Sequence, residues 1–250
     1  MTVDLSHLRT GTENETLVVL PTYNERENLP RIVEAVLSLG PEWRALVVDD
    51  QSPDGTGDVA EALGRREPRL AVLRRPGPRG LGRSYRDGLS LALAAGFDFV
   101  CTMDSDFSHD PLQLPELRRL AKEGGAALGS RYVEGGGVEE GWGLLRKLNS
   151  RTANLVARFA LGLRVRDASA GFRCFRRDAL AAIQPETLSA AGFSIMQELS
   201  HRVERAGFRW AEWPIRFAVR QKGRSKVSPR QVVDVLKMIW RLRVRAWRPR

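Results

Sequence analysis

Two carboxylates one residue apart follow a strongly apolar run near the middle of the chain. Asp104 and Asp106 come directly after 97–103, whose apolar character predicts a buried strand. In an open α/β sheet, ligands bind at the carboxyl ends of the strands. Carboxylate oxygens at this spacing suit Mg²⁺ or Mn²⁺ carrying a phosphate, whereas zinc prefers nitrogen and sulfur ligands. Acids after a strand also cap the next helix, so the pair alone leaves both interpretations open.

Polar side chains follow two other predicted strands. Tyr23 and Glu25 come after the first strand, and Asp49 and Asp50 come after the second. Because the loops after parallel strands share one edge of the sheet, we expect these groups to meet the Asp-x-Asp pair. The structural alternatives are packing for Tyr23, a first-turn helix acid for Glu25, and a turn-bracing role for one of the two aspartates.

The glycine-rich motifs that hold phosphates in other enzymes are absent from the sequence. No Gly-x-Gly-x-x-Gly follows the first strand, and no Gly-x-x-x-x-Gly-Lys-Ser/Thr occurs. Their absence disfavours a nicotinamide oxidoreductase and a P-loop NTPase. Acids stand where a glycine-rich phosphate loop would otherwise be expected, which indicates that a metal holds the phosphate. The acids themselves would bind hydroxyl groups of the sugar or base.

The elements that must position these groups alternate between strand and helix. Strands are predicted at 17–20, 45–48, 70–73, 97–103 and 126–129, and helices near 32–37, 58–66, 84–95, 112–123, 144–161 and 194–206. Strands separated by helix-length segments predict an α/β fold with a mostly parallel sheet and helices on both faces. Trp210 and Trp213 are expected to pack on one sheet face, Arg173 to form an ion pair, and His109 to stabilise a turn.

Composition narrows the class of protein and its partners. The 250 residues suffice for one generous core with a small appendage, and the net charge of +10 favours an anionic partner such as nucleic acid, an acidic membrane or a phosphorylated substrate. Cys101 and Cys174 lie in apolar runs without metal-site spacing, which fits packing residues in a reducing compartment. No signal peptide or stretch of about 20 apolar residues is present, so no membrane crossing is expected.

Six segments, in order, resemble the motifs of inverting GT-A-fold glycosyltransferases of family 2, and among these the dolichol-phosphate (polyprenyl-phosphate) mannosyltransferases. They are PTYNERENL at 21–29, VDDQSPDGT at 48–56, MDSDFSH at 103–109, GSRY at 129–132, AGFR at 170–173 and FAVRQKGRSK at 217–226. The resemblance implies a GT-A catalytic domain over 16–227, after a flexible N-terminus at 1–15 and before a basic amphipathic helix at 228–250.

The same resemblance implies transfer of mannose from GDP-mannose to dolichyl or polyprenyl phosphate, giving the β-linked lipid-phosphate sugar and GDP. By it, Asp104 and Asp106 would hold Mg²⁺ or Mn²⁺ on the donor diphosphate. Many members have Gln where this chain has Ser108, so the third metal ligand stays open between Ser108 and water. The expected nucleotide contacts are Pro21, Tyr23, Glu25, Val48, Asp50 and Ser105. Arg131, Arg220 and Lys226 would contact the donor diphosphate and the lipid phosphate, the last two as catalytic residues.

The expected acceptor explains why no catalytic base stands out in the sequence. A phosphate monoester is largely dianionic at neutral pH and needs no strong general base to attack. No Ser-His-Asp or Cys-His arrangement is evident. A single displacement with inversion at the anomeric carbon is therefore expected.

The C-terminal segment has a sequence pattern that bears on membrane binding. Val232, Val235 and Ile239 recur at helical spacing beside a separate stripe of arginine and lysine. Such a helix can lie in a membrane interface or dock on the catalytic domain, and both interpretations stay open. The expected location is cytoplasmic, peripheral on the cytoplasmic face of the membrane, with an anchoring protein as a further partner that some members of the resembled family bind.

Two alternatives to this function come from different classes. The first is the same fold with another sugar nucleotide, such as UDP-glucose, and the same lipid phosphate. The second is a basic nucleic-acid binder without catalysis. No helix-turn-helix, zinc finger or RNA-binding signature is present, so nucleic acid is not an expected partner.

Overall fold

Nine strands are present in the computed structural model, which describes residues 3–139, 144–218 and 237–239. They are β1 Thr16–Thr22, β2 Trp43–Asp49, β3 Leu70–Arg74, β4 Phe99–Thr102, β5 Gly125–Ser130, β6 Gly137–Val138, β7 Arg173–Arg176, β8 Arg209–Pro214 and β9 Arg216–Phe217. Seven of them form one sheet in the order β3-β2-β1-β4-β7-β5-β8, and β6 pairs with β9.

The central sheet is parallel except for one strand. β7 runs antiparallel to both of its neighbours, β4 and β5, while the other pairs in this sheet are parallel. The mostly parallel α/β sheet is therefore confirmed. Its strands are apolar runs because both faces are covered, as the fully buried residues Leu17, Val18, Val19 and Leu20 of β1 show.

Seven α-helices are present in the described parts of the chain, and helices pack on both faces of the sheet. They are α1 Leu29–Leu37, α2 Thr56–Gly64, α3 Leu81–Ala95, α4 Leu114–Gly124, α5 Leu144–Leu161, α6 Arg177–Ile183 and α7 Ile195–Arg205. Leu89 and Leu199, on α3 and α7, pack on one face of the sheet. Ile32 and Leu117, on α1 and α4, pack on the other. Of the seven, only α6 was not predicted from the sequence.

The described part of the N-terminal segment, residues 3–15, differs from the flexible tail expected for residues 1–15. Leu5 and Leu8 are buried in the core cluster on the α3 face. A short 3₁₀ turn at Ser6–Leu8 brings the two leucines onto the same side. Glu15 is buried, pairs with Arg9 and accepts a hydrogen bond from a nearby threonine hydroxyl. Leu5 and Leu8 lie three residues apart in an otherwise polar segment, so the sequence pattern did not indicate their burial. Their buried side chains hold the segment on the core.

Replacing Leu8 by alanine tests this packing. We expect the free energy of unfolding to fall by about 2–4 kcal/mol, because a fully buried leucine leaves a cavity in the core. Leu112→Ala is the matched control, since the side chain of Leu112 is 72% exposed. Chemical denaturation of the two variants measures the difference. Equal stabilities would show that the N-terminal segment does not hold the fold.

The C-terminal helix is described only in part. Residues 237–239 are helical, and Met238 and Ile239 pack against Ala160 and Leu161 at the end of α5. The remainder of the helix predicted at 228–250 lies outside the described residues. Among the helices that the structure describes, none has both the length and the apolar character needed to cross a membrane.

Candidate active site

The carboxyl ends of β1, β2 and β4 lie side by side because β1 is the middle strand of the three. In the register of β1 with β2, Pro21 lies opposite Val48. The hydroxyl of Ser105, in the loop after β4, donates a hydrogen bond of 3.3 Å to the backbone oxygen of Pro21. The structure thus brings the three predicted motifs together at one edge of the sheet.

The two aspartates after β2 have different roles. The backbone N–H of Ser52 donates to Asp49 Oδ2 over 3.4 Å, which braces the turn after the strand. Asp50 faces the loop that follows β3: its Oδ1 pairs with Arg75, and its Oδ2 accepts a 2.7 Å hydrogen bond from the N–H of Gly80. Asp49 is therefore the turn-bracing member of the pair, and Asp50 is held at the rim of the site.

Tyr23 and Glu25 also lie at this rim, half-buried rather than in the core. The guanidinium of Arg79 lies 4.8 Å from the centre of the Tyr23 ring and also bonds the phenolic oxygen. The carboxylate of Glu25 accepts a 2.8 Å hydrogen bond from Asn28 Nδ2. Arg79 was not among the residues predicted from the sequence.

Asp104 and Asp106 differ in exposure. The side chain of Asp104 is 30% exposed, whereas Asp106 is only 2% exposed and its Oδ1 accepts a 3.0 Å hydrogen bond from the N–H of Ser108. Phe107, between Asp106 and Ser108, has a left-handed φ of 59°. A bulky residue in this region is strained, and such strain concentrates at functional loops.

The donor atoms in this loop are all hard oxygens. Besides the carboxylates of Asp104 and Asp106, the buried hydroxyl of Ser108 has no hydrogen-bond partner among the described residues. No group of three His, Cys, Asp or Glu side chains within residues 3–139, 144–218 and 237–239 could hold a metal ion. Two carboxylates and a hydroxyl fit a cation of the Mg²⁺ or Mn²⁺ type, which takes the rest of its ligands from phosphate and water.

His109 packs against the loop that contains Asp104 and Asp106. Its ring stacks on Phe172 with centroids 5.0 Å apart and meets Phe217 edge-on at 5.2 Å. The backbone N–H of Asp104 donates to its Nδ1 over 3.3 Å. Burial lowers the pKa of His109 in spite of the nearby charges of Asp104 and Asp106, so the ring stays neutral and accepts this hydrogen bond. The predicted structural role of His109 agrees with these contacts.

The segment containing the AGFR motif packs directly on Asp104. The backbone oxygen of Gly171 accepts hydrogen bonds from Thr102 Oγ1 at 2.7 Å and from Tyr85 Oη at 3.3 Å. A Cβ at position 171 would lie 3.5 Å from Asp104 Oδ1 and would crowd the tyrosine hydroxyl at 3.2 Å. Burial and the charge of Asp104 raise the pKa of Tyr85, so its hydroxyl remains a donor. Tyr85 and Thr102 were missed because each lies inside an ordinary helix or strand pattern.

Arg131 lies in a buried ion pair. Its Nε and Nη2 contact the two carboxylate oxygens of Asp167 at 2.7 and 2.8 Å, and Nη2 also donates to Ser169 Oγ at 2.6 Å. Burial opposes the charge of the Asp167 carboxylate, but the guanidinium of Arg131 and the hydrogen bonds outweigh burial and lower the pKa of Asp167. Sequence reasoning missed Asp167, although it stands three residues before the AGFR motif.

Two expectations about nearby side chains were wrong. Arg173 has no carboxylate partner among the described residues; it is fully buried and donates to the backbone oxygens of Ala170 and Met196 at 2.7 and 2.8 Å. Burial lowers its pKa to about 10. Trp210 and Trp213 pack on opposite faces of the sheet, because residues three apart on a strand point in opposite directions.

Arg220 and Lys226, the predicted phosphate contacts, lie outside the described residues. The chain that leads to them is described as far as Ala218, whose backbone N–H donates a 3.1 Å hydrogen bond to the backbone oxygen of Ser108. Phe217 contacts the His109 ring and lies beneath the guanidinium of Arg131 at 5.5 Å.

Comparison with known proteins agrees with this architecture. The family model described as glycosyl transferase family 2 matches residues 17–184. Polyprenol monophosphomannose synthase of Mycolicibacterium smegmatis is 40% identical over 239 residues, which cover 94% of this chain and 90% of that protein. Undecaprenyl-phosphate mannosyltransferase of Micrococcus luteus is 40% identical over 212 residues, covering 85% and 87% of the two chains.

Solved structures show the same fold at lower identity. Glucosyl-3-phosphoglycerate synthase of Mycobacterium tuberculosis, in complex with Mn²⁺, UDP and glucosyl-3-phosphoglycerate, matches with a TM-score of 0.65 at 22% identity over 95% of this chain and 82% of that one. Its complex with Mn²⁺ and UDP-glucose matches with a TM-score of 0.64 at 22% identity over 95% and 81% of the chains. The fold is thus the GT-A fold, and the chain belongs to glycosyltransferase family 2.

Proposed function

We propose that this glycosyltransferase moves mannose from GDP-mannose to a polyprenyl phosphate, with inversion, giving a β-linked polyprenyl-phosphate mannose and GDP. The observation that carries this proposal is the 40% identity, over 94% and 85% of the chain, to two proteins named for mannose transfer to such lipids. The placement of the acidic motifs at one sheet edge supports it. The same fold with a UDP-glucose-type donor is the second candidate, favoured by the UDP-glucose complex of the structural neighbour.

The donor nucleotide is proposed to lie across the ends of β1 and β2. Pro21 and Val48 face each other there, and Asp50 stands at the rim with its carboxylate held from one side by Gly80. Carboxylates in such a place accept hydrogen bonds from the N–H and O–H groups of a base or ribose. The proposed contacts also include Tyr23, Glu25 and Ser105.

The proposed metal ligands are Asp104 and Asp106. The third ligand is either the hydroxyl of Ser108 or a water molecule. When bound, Mg²⁺ or Mn²⁺ would offset the negative charge that develops on the leaving diphosphate. The chain itself orients the carboxylates through the Ser108 N–H and the Asp104–His109 hydrogen bond. Mn²⁺ in the structural neighbours supports a divalent cation here and leaves the choice between the two metals to experiment.

The proposed phosphate contacts are the cationic residues Arg131, Arg220 and Lys226. Ala218, two residues before Arg220 in the sequence, is hydrogen-bonded to Ser108. Arg131 is held nearby by Asp167. Lys226 belongs to the same basic segment as Arg220. Together these residues would bind the donor diphosphate and the lipid phosphate, which attacks the anomeric carbon from the opposite face without help from a base.

Incubation of the purified chain with labelled GDP-mannose, a short polyprenyl phosphate and Mg²⁺ or Mn²⁺ tests the proposal. We expect label in the lipid fraction, released by mild acid, with a β-anomeric product by NMR. A parallel arm with labelled UDP-glucose separates the two donor candidates. Transfer from UDP-glucose alone would replace the proposed donor, and an α-linked product would exclude the single displacement.

We also propose that α5 contacts an anionic membrane. Leu148, Leu155 and Phe159 are exposed, Phe159 by 77%, and on a helix they fall within about 40° of one another. The α5 sequence contains four basic residues and no acidic one, which suits anionic headgroups. On its buried side, Asn154 bonds the backbone on either side of Asp167, so the apolar stripe lies on the element that abuts the Arg131–Asp167 pair.

The proposed contact is peripheral and on the cytoplasmic face of the membrane. The compartment is inferred from the two cysteines, which are free and buried within the described part of the chain. Free cysteines are typical of reducing compartments. The proposed anchoring protein would bind in addition to this direct contact.

Vesicle binding tests the role of α5. We expect Leu155→Ser with Phe159→Ser to weaken sedimentation with anionic vesicles at least tenfold, since each large apolar side chain contributes about 1.5–3 kcal/mol when buried. Phe193→Ser is the matched control, because Phe193 is an exposed phenylalanine on another part of the surface. Equal binding by both variants would exclude α5 as the membrane contact.

A further inference from the structure

Glu198 on α7 is a fully buried carboxylate that none of the motifs includes. It accepts hydrogen bonds from the backbone N–H groups of Ser189, at 3.1 Å, and Ala190, at 2.8 Å. Arg202, one turn further along α7, pairs with it at 2.7 Å. The carboxylate therefore fixes the backbone of the loop at 189–190, which has no other regular structure to hold it.

That loop lies directly against the glycines that begin α3. The N–H of Gly82 donates a 2.9 Å hydrogen bond to the backbone oxygen of Ala191. A Cβ at Gly82 would overlap the backbone oxygen of Ala190, and a Cβ at Gly80 would overlap that of Ala191. Backbone thus meets backbone without an intervening side chain, so a shift of one segment must move the other.

The glycine segment in turn forms one wall of the proposed donor site. Gly80 N–H bonds the carboxylate of Asp50, and Arg79 lies over Tyr23. The side-chain amide of Gln51 donates to the backbone oxygen of Gly77. One loop therefore contacts three residues from the carboxyl ends of β1 and β2.

We propose that Glu198 is a positioning residue for donor binding. It fixes the loop at 189–190, which fixes Gly80 and Gly82, and the Gly80 N–H together with Arg75 sets the place of the Asp50 carboxylate. The inference rests on the proposed function in taking Asp50 as a nucleotide contact. The role accounts for the main-chain hydrogen bonds of this buried acid, because their donors belong to a loop that leads to the site.

The expected consequence is a selective loss of donor affinity. Glutamine at 198 keeps the shape of the side chain but has one acceptor oxygen in place of two. Its N–H₂ group must face either the Ala190 N–H or the Arg202 guanidinium, so in both orientations two donors meet and one is left unsatisfied. A displacement of about 1 Å at a binding residue costs up to 100-fold in function. For Glu198→Gln we expect KM for the donor and Kd for GDP to rise about tenfold, with kcat at saturating donor within about twofold of wild type.

Glu15→Gln is the matched control. Glu15 is also a fully buried carboxylate, and it also accepts a main-chain N–H, from Thr10, and pairs with an arginine, Arg9. It lies at the start of β1, at the opposite end of the sheet strands from the site. We expect it to lower the melting temperature as much as Glu198→Gln does and to leave GDP binding unchanged.

The decisive readout is hydrogen exchange of the Gly80 and Gly82 amides, measured on the full chain without nucleotide. Glu198→Gln is expected to speed their exchange at least tenfold, and Glu15→Gln to leave it as in wild type. Gly82→Ala attacks the same contact from the other side and should give the same rise in Kd for GDP. This second variant keeps the inference testable if Glu198→Gln does not fold.

Two results would overturn the inference. One is unchanged exchange at Gly80 and Gly82 in Glu198→Gln; the other is an equal loss of GDP affinity in Glu15→Gln. Failure of wild type to bind GDP would instead refute the proposed donor, and the exchange measurement, which uses no nucleotide, would still decide whether Glu198 positions the loop.

Discussion

Asp106→Asn is expected to lower kcat for mannose transfer by about 1,000-fold with little change in folding. Asparagine keeps the oxygen that accepts the Ser108 N–H, so the local turn can form, but the charge that would hold the cation is lost. Removing one group that stabilises developing negative charge typically costs about 100- to 1,000-fold. Steady-state transfer assays at saturating donor, with a melting curve on the same sample, measure both effects.

Asp110→Asn is the control for this substitution. Asp110 makes the same kind of contact, accepting the N–H of Leu112 at the start of a 3₁₀ turn, but its side chain faces solvent. We expect transfer within about twofold of wild type. Comparable losses in both variants would mean that the loop's conformation, rather than the Asp106 charge, governs the rate.

Asp167→Ala is expected to produce the largest loss of stability. The substitution leaves the guanidinium of Arg131 buried without its partner, and breaking a buried pair in this way costs about 3–5 kcal/mol. The buried carboxylate has a lowered pKa in the folded chain. The stabilisation is therefore fully present above pH 3.8, the ordinary pKa of aspartate, and is lost as the pH falls below that value through the lowered pKa.

Denaturant unfolding of wild type and Asp167→Ala across pH 2.5–7 measures the loss in the free energy of unfolding. It also shows in which direction this loss changes with pH. Arg131→Met in the Asp167→Ala background should recover part of the loss, because no unpaired charge remains buried. Glu116→Ala is the surface comparison: Glu116 pairs with Arg119 at 2.6 Å, but such pairs contribute under about 1 kcal/mol. A cost near that of Glu116→Ala would contradict a tight buried pair at Asp167.

The sequence alone was sufficient to predict most strands of the sheet and the larger helices. Runs such as 17–20 and 45–48 are apolar throughout because both faces of a parallel sheet are covered, and that signal needs no tertiary information. The alternation with helical periodicity then predicted the α/β class correctly. The motif order placed the acidic residues after β1, β2 and β4, where the structure brings them together.

Features that depend on distant partners could not be predicted in the same way. β7 begins with a charged residue, Arg173, whose burial is explained by the backbone oxygens of Ala170, three residues before it, and of Met196 on α7. Asp167 is one acid among many until the fold places it on Arg131. The contact of Asp50 with Gly80 likewise joins two loops, and no local pattern marks it. The roles of Arg220 and Lys226 stay predictions.

Calorimetric titration of GDP-mannose into the purified chain tests the central claim most directly, namely that the acids after β1, β2 and β4 bind a cation-bridged nucleoside diphosphate sugar. With millimolar Mg²⁺ or Mn²⁺ we expect one donor per chain, and with a chelator an affinity at least tenfold weaker. Asp106→Asn in the presence of the cation should resemble wild type in chelator. Equal affinity with and without the divalent ion would contradict the account.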